Sequence, residues 1–201
     1  WASPLRFEKE MPLHSESPLL RSLKSLHDQL TIHGYRNLSE VDTVHFLQPF
    51  LDIVTSPLTT GPITGAALSS LHKFLLYGFV QTDSKRASEG INLIASGISN
   101  CVFEETDAYS DEVVLMKVLE LSALCVRCDV GHLLNRDEIS LVFNKCLHVS
   151  KEETRRSSLL RSTADNTMAH IVLIVFSRAR SNAPKHSEDE WGESEVVEEA
   201  E

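Results

Sequence analysis

The chain has 201 residues and a formal net charge of −10, enough for one domain with a substantial core. Eight acids against Lys185 alone give residues 181–201 a net −7, so the rest of the chain carries about −3. That near-neutral body argues against a nucleic-acid binder, which carries a basic patch and a high pI. The longest apolar run, Ile171–Phe176, is far short of the ~18 residues of a membrane span.

In chain order the pattern is helix after helix, with no convincing strand. The first helix opens at Ser17 and Pro18, residue types suited to a cap and a first turn, with a stripe of Leu19, Leu23, Leu26 and Leu30. The second is predicted over 42–54 on Val44, Leu47, Leu51 and Val54, with Pro49 expected to kink or restart it. The third is predicted over 63–80. Its core face is expected to be Ile63, Ala67, Leu71, Phe74 or Leu75, and Gly78. Ahead of it, Gly61 and Pro62 form a turn and helix start, and Gly65 is expected to permit close helix packing.

The fourth helix is predicted from Ser84, with Ala87, Ile91, Ile94, Ile98 and Val102 at helical spacing. Gly90 and Gly97 are each unfavourable inside it by roughly 1 kcal/mol, so their use implies close approach of a neighbour. The fifth opens at Asp107 or Ser110 and runs to Cys128, on Val114, Val118, Leu121 and Cys125. Asp111 and Glu112 fall in its first turn, where the helix dipole favours acids. Asn135 and Glu138 form a variant capping box for the sixth, which carries Ile139, Val142, Phe143 and Cys146. The seventh is predicted over 154–178 on Leu160, Ala164, Met168, Ile171 and Val175, and Asn182-Ala183-Pro184 stops it.

About seven helices with short connections make an all-α fold, either a bundle or a helical repeat. No sharp repeat is visible in the sequence. The broad apolar arcs of the fifth and seventh helices favour an α-solenoid, where such helices sit between layers. The expected organisation is an N-terminal extension over 1–16, a helical domain over 17–180 and an acidic, disordered tail or linker over 181–201. The chain opens on Trp1, and we read it as a piece of a longer protein.

Catalytic chemistry is not visible. Cys125 and Cys128 form a CxxC, which a zinc site or redox pair would need a second CxxC, a histidine pair or a preceding strand to support. All four cysteines are expected to be reduced residues inside apolar helices. No histidine falls in a metal or triad pattern, and His170 is expected to be a satisfied core residue. Gly61–Gly65 lacks the GK[ST] ending of a phosphate loop. Arg155, Arg156 and Arg161 are a possible phosphate or lipid-headgroup contact, but beside Glu152 and Glu153 they fit a solvated charged face better. No cofactor, metal or catalytic residue is assigned.

On the third helix, Ala66, Ser70, Lys73 and Tyr77 share a face away from the apolar stripe. A tyrosine beside a lysine among small residues suits a protein interface. Glu112 is an acid placed to pair with Lys73, within the chain or across subunits. An ordinary exposed lysine and a dipole-placed acid fit the pattern equally well.

Three stretches carry a resemblance: Phe46-Leu47-Gln48-Pro49-Phe50-Leu51; Thr59-Thr60-Gly61-Pro62-Ile63-Thr64-Gly65 with Lys73-Phe74-Leu75; and Ser110-Asp111-Glu112-Val113-Val114-Leu115-Met116-Lys117. They are similar to the N-terminal dimerisation and cyclophilin-binding (DCB) domain of the large Arf guanine nucleotide exchange factors, Golgi brefeldin A-resistance class. Leu159–Asp165 is similar to the closing helix of that domain, and residues 31–42 and 81–89 show no useful match.

The resemblance implies armadillo/HEAT-like repeats and a regulatory module without the catalytic exchange domain. It implies a homodimer, contact with the following domain, docking of a cyclophilin or small GTPases of the Arf and Rab families, and peripheral association with Golgi membranes from the cytoplasm. It implies an interface on Lys73, Tyr77, Ser70, Asp111, Glu112 and Lys117. It also implies that the chain begins after the family's first helix, leaving one face of the stack uncovered. The alternatives are a helical-repeat adaptor that binds a small GTPase or peptide without self-association, and, more distantly, a zinc or hydrolytic enzyme using Cys125, Cys128 and a histidine.

Overall fold

The computed structural model describes residues 17–33, 41–151 and 157–181. They form seven α-helices: α1 (Pro18–His33), α2 (Thr43–Val54), α3 (Gly61–Leu76), α4 (Ala87–Ser99), α5 (Ala108–Arg127), α6 (Arg136–Lys151) and α7 (Ser158–Ser181). A 3-10 turn, Asp129–Leu133, joins α5 to α6. Among the described residues there is no strand, only an isolated bridge between Thr60 and Glu104.

Helix contacts decide between bundle and solenoid. From α2 onward the helices pack as hairpins, α2 on α3, α4 on α5 and α6 on α7, and α2 to α5 each pack on the helix two ahead. The second kind of contact is parallel. A side chain at Gly90 of α4 would meet Thr43 of α2, and one at Gly97 would meet Leu51. Gly61 and Gly65 of α3 likewise face Val114 and Lys117 of α5. Two parallel rows, α2-α4-α6 and α3-α5-α7, therefore stack as three hairpins, with α1 against α2. Translational stacking of this kind is an α-helical repeat, which the sequence alone favoured without a visible repeat.

Between the rows lies one core. Leu47, Leu68, Leu71, Ile91, Ile94, Ile98, Leu119, Leu121 and Leu160 are each under 2% exposed. Each such side chain contributes roughly 1.5–3 kcal/mol by leaving water. Gly90 and Gly97 do serve close approach: a Cβ at Gly97 would lie 2.7 Å from Leu51 Cδ2. At Gly65 the nearest atom would be 3.6 Å away, an ordinary contact, so close packing does not require that glycine.

Polar groups fasten one hairpin to the next. Val102 N–H donates to Val54 O (3.1 Å) and Glu104 N–H to Thr59 O (2.9 Å). Lys145 donates to Cys101 O (3.1 Å), and Asn92 donates to Leu133 O while accepting from Asn135 N–H. Arg178 of α7 donates to Val126 O (2.7 Å) and Gly131 O (2.9 Å), closing the carbonyl end of α5. Orphan carbonyls at a helix end need such donors.

Several local expectations are corrected. α2 continues through Pro49; the backbone bond lost to proline is outweighed by burial of Leu47, Leu51 and Val54. α3 ends at Leu76 because Gly78 takes φ +67°. Phe79 N–H donates to Phe74 O and Gly78 N–H to Leu75 O, while the Phe74 and Phe79 rings sit 5.7 Å apart. That is a Schellman stop with its apolar contact, so Gly78 is a cap and not a core position.

Ile63 is 51% exposed, and Thr64 takes the buried place beside it. α4 starts at Ala87, after Arg86 at φ 60°; Val102 lies beyond its end, in the loop, and is exposed. Cys101 also lies in that loop and Cys128 caps α5, so neither is a helix-interior residue. His170 is exposed. Asn135 Oδ1 caps Glu138 N–H at 2.7 Å, but the return bond of a capping box goes to Asn92 instead. α7 buries only Leu160, Ala164, Thr167 and Ile171, so it does not sit between layers. Thr154, Arg155 and Arg156, the N-terminal extension and the acidic tail lie outside the described residues.

Candidate interaction face on α3 and α5

The Thr59–Gly65 turn builds one end of this face. Thr59 Oγ1 lies 2.8 Å from Ser56 O, 3.1 Å from Ile53 O and 3.0 Å from Thr64 Oγ1. Both threonines are buried, and their mutual bonding removes the cost of burying two hydroxyls. With Thr59 O taken by Glu104 N–H, the turn locks α3 onto the loop that precedes α5. Its work is structural.

Asp107 caps α5, accepting from Tyr109 and Ser110 N–H at 3.1 and 3.0 Å. The Ser110 hydroxyl and backbone hold its carboxyl below the usual range. Asp111 accepts from Thr106 N–H (3.2 Å) and turns back onto the loop. Glu112 leans toward α7, where its Oε1 accepts from Ser157 N–H at the start of that helix. A carboxylate there answers both the orphan donor and the positive end of the α7 dipole. Lys117 reaches across to α3, donating to Ser69 Oγ (2.6 Å) and Gly65 O (3.1 Å).

The three candidate residues on α5 are therefore each bonded to a group outside α5. Of the other three, Ser70 and Lys73 are on α3 and Tyr77 caps its C-terminal end. Ser70 bonds Ala66 O in its own helix. Lys73 is exposed and Tyr77 is 67% exposed. No ion pair joins Lys73 to Glu112, and the helix register explains why. Gly61 lies against Val114, so Glu112 sits by the start of α3, whereas Lys73 is about 18 Å further along it.

Lys73 instead borders a shallow groove of about 260 Å³ with His72, Lys117 and Glu120. Projected down the helices, α5 turns Tyr109 (80% exposed), Val113 (43%) and Glu120 outward beside Ile63 and Tyr77 of α3. The sequence did contain that signal, since Tyr109, Val113 and Glu120 recur at i, i+4 and i+11.

Elsewhere the chemistry is quiet. Among the described residues no group of His, Cys, Asp and Glu is placed to hold a metal ion. Burial pushes the Cys101 and Cys146 thiols up to about 11 and raises Cys125 and Cys128 as well. The Cys128 thiol donates to Cys125 O at 3.4 Å, and His132 faces Asp129 O, so no ligand set converges there. Among the described residues no helix is long and apolar enough to cross a membrane.

Comparison with curated proteins gives the chain's relatives. The chain is 35% identical over 175 residues, 87% of its length, to the ARF guanine-nucleotide exchange factor GNL1 of Arabidopsis thaliana. It is 32% identical over 162 residues to GNOM of the same plant. It is 31% identical over 167 residues to the Golgi-specific brefeldin A-resistance guanine nucleotide exchange factor 1 homolog of Caenorhabditis elegans.

The chain is a relative of one segment of the large Arf exchange factors.

It spans 12% of GNL1, 11% of GNOM and 8% of the nematode protein. No protein-family profile matches it. An exchange-factor segment of this extent is consistent with the DCB resemblance carried by the Thr59–Gly65 and Ser110–Lys117 stretches.

Proposed function

We propose that this chain is a non-catalytic regulatory module of a Golgi Arf guanine nucleotide exchange factor, and that it self-associates through the outward face of α3 and α5. Exchange itself belongs, on this reading, to a part of the protein beyond the segment matched here. The observation that carries the reading is the exposed Lys73–Tyr77 end of α3, beside outward Tyr109 and Val113, on a chain related to these factors. Aromatic side chains beside Lys73 among small residues fit a subunit contact better than plain solvent. Cyclophilin and Arf or Rab GTPases are the further partners we assign to the module, and cytoplasmic, peripheral Golgi association is the setting we assign to it.

Sedimentation of the 201-residue chain over a range of concentrations tests this. A concentration-dependent dimer weakened by Lys73→Glu is expected. A monomer at the highest concentrations sinks the self-association. Reversing Glu112 is the less clean probe, because that carboxylate also caps α7; its effect is to be read only beside a thermal melt.

A second reading, an adaptor that does not self-associate, is favoured by a different surface. Ile139, Phe143, Val172, Val175 and Phe176 line an apolar groove of about 350 Å³ on α6 and α7. On the first reading the same groove receives the domain that follows. A GTPase pull-down from the monomeric chain, lost in Phe176→Glu, would support the adaptor.

A further inference from the structure

The apolar groove on α6 and α7 lies at the end of the stack from which residues 182–201 depart. Ile139 and Phe143 form one wall, and Val172, Val175 and Phe176 the other, around a space of about 350 Å³. Phe176 is exposed. An open apolar wall of this kind marks an interaction site.

The hairpin register places two cations at the mouth of the groove. Ser150 of α6 donates to Asp165 of α7, so the antiparallel helices are level at that pair. Arg136 lies 14 residues before Ser150 and Arg180 lies 15 residues after Asp165, so at one rise per residue the two arginines stand level as well. Arg136 shares a face of α6 with Ile139 and Phe143, and Arg180 shares a face of α7 with Phe176 and Val172. Both arginines are exposed, and neither takes an ion-pair partner among the described residues. Asp137 and Glu138 offset part of this charge, and Arg178 adds to it.

Residues 182–201 have the complementary composition. They hold eight acids and one aromatic, Trp191, directly behind Glu188-Asp189-Glu190. Asn182-Ala183-Pro184 is a turn-forming sequence. Seven residues from Pro184 to Trp191 reach up to about 23 Å when extended. The end of α7 is only about 8 Å from Phe176 and about 14 Å from Val172 along the helix. Asp189 and Trp191 are about 7 Å apart on one face of an extended segment, and Arg180 and Phe176 are about 6 Å apart along α7. A segment running back along α7 therefore brings the acid to the arginines where it brings the indole to Phe176. Residues 1–16 offer no rival, because they join α1, which packs on α2 at the opposite end of the stack.

We propose that residues 185–191 fold back into the α6/α7 groove of their own chain, with Trp191 against Phe176 and Phe143 and with Asp189 between Arg136 and Arg180. The short connection gives the segment a high local concentration, so a few contacts suffice to close it. A protein that uses this groove enters by displacing Trp191. The proposal does not rest on self-association.

Tryptophan fluorescence tests it. In the 201-residue chain with Trp1→Phe, the signal comes from Trp191 alone. Emission shifted to the blue of the urea-unfolded chain, with loss of acrylamide quenching, is expected. Phe176→Glu is expected to abolish both with helix content unchanged by circular dichroism, since Phe176 is exposed. Reversing Arg136 and Arg180 together to Glu is expected to weaken the protection, as is added salt. A parent Trp191 as quenchable as in urea overturns the proposal. Protection that survives Phe176→Glu places the indole elsewhere and overturns it too, and protection that survives the double reversal overturns the register. Protection lost on dilution means that the groove takes the segment of a second copy, which overturns closure within one chain.

Discussion

α5 and α7 look alike in sequence and are treated differently by the fold. Both are long, both carry apolar residues over a wide arc, and both belong to the same row. α5 buries nine residues, among them Val118, Leu119, Leu121, Cys125 and Val126, because α3 lies on one side of it and α7 on the other. α7 buries four and leaves Leu159, Leu173 and Phe176 at 65–70% exposure. The difference is one of position in the stack. A helix in a repeat array gets its second cover from the next repeat, and no described helix follows α7. Its outer arc is an apolar surface of the kind that marks an interaction site, which is why the groove beside Phe176 figures in the second functional reading.

The comparison breaks most sharply by truncating equivalent leucines. Leu121→Ala on α5 and Leu160→Ala on the covered side of α7 are each expected to cost about 2–5 kcal/mol, since both sites are fully buried. Leu173→Ala, on the same helix as Leu160, is expected to change stability by no more than about 0.5 kcal/mol. Chemical denaturation of the three variants checks this. A large loss at Leu173 would mean that the outer arc of α7 is covered after all.

Next in size is the clamp between the two helices. Arg178→Met keeps the aliphatic stem but strips the donors from Val126 O and Gly131 O, with an expected cost of about 2 kcal/mol. Gly131 makes the site unforgiving: a Cβ there would lie 2.5 Å from Val126 O, so the turn cannot re-form around a larger residue. Denaturation of Arg178→Met beside Arg180→Met, its neighbour in the last turn, separates the clamp from a general charge effect. Equal losses would discard the clamp.

How much of this was legible beforehand follows from distance along the chain. Helix existence, the α5 stripe and the Asp107 and Asn135 caps depend on residues within one turn of each other, and the period of 3.6 displays them. The end of α3 and the start of α4 differ from what helical spacing predicts because they are set by conformations that composition does not display: Gly78 and Arg86 at positive φ. The breadth of the apolar arc of α7 predicts a place between layers, but breadth says how much surface can be buried, not whether a neighbour arrives to bury it. At the candidate face, exposed Lys73 and Tyr77 were visible from helical spacing. The internal bonds of Glu112 and Lys117 were not, since their partners lie 45 and about 50 residues away.

A smaller effect probes the other row. Gly90→Ala gains about 1 kcal/mol in helix propensity, yet its new methyl runs into Thr43 Cγ2, with Leu47 Cδ1 3.4 Å away. Overpacking of this kind costs about 1–3 kcal/mol, so a net loss near 1 kcal/mol is expected. Thr43→Ser removes the clashing methyl, and the double variant is expected to recover most of the loss in a denaturation series. Simple additivity of the two changes would mean that α2 and α4 are not held together here.

The smallest expected effect decides what Glu112 is for. Glu112→Gln keeps an oxygen for Ser157 N–H and removes only the charge, so α7 loses its favourable carboxylate at the helix start. That is worth about 0.5–1 kcal/mol, and a thermal melt at low salt should show it fading as salt rises. A purely structural acid predicts this loss with dimer affinity untouched. An acid shared between the α7 cap and Lys73 of a second copy predicts both a lower melt and a weaker dimer, and Lys73→Gln would then weaken the dimer alone. The structure leaves room for the shared role, since Oε1 faces Ser157 and the residue is only half-buried. One carboxylate would then tie the stack of hairpins within a chain to the pairing of chains across the α3/α5 face.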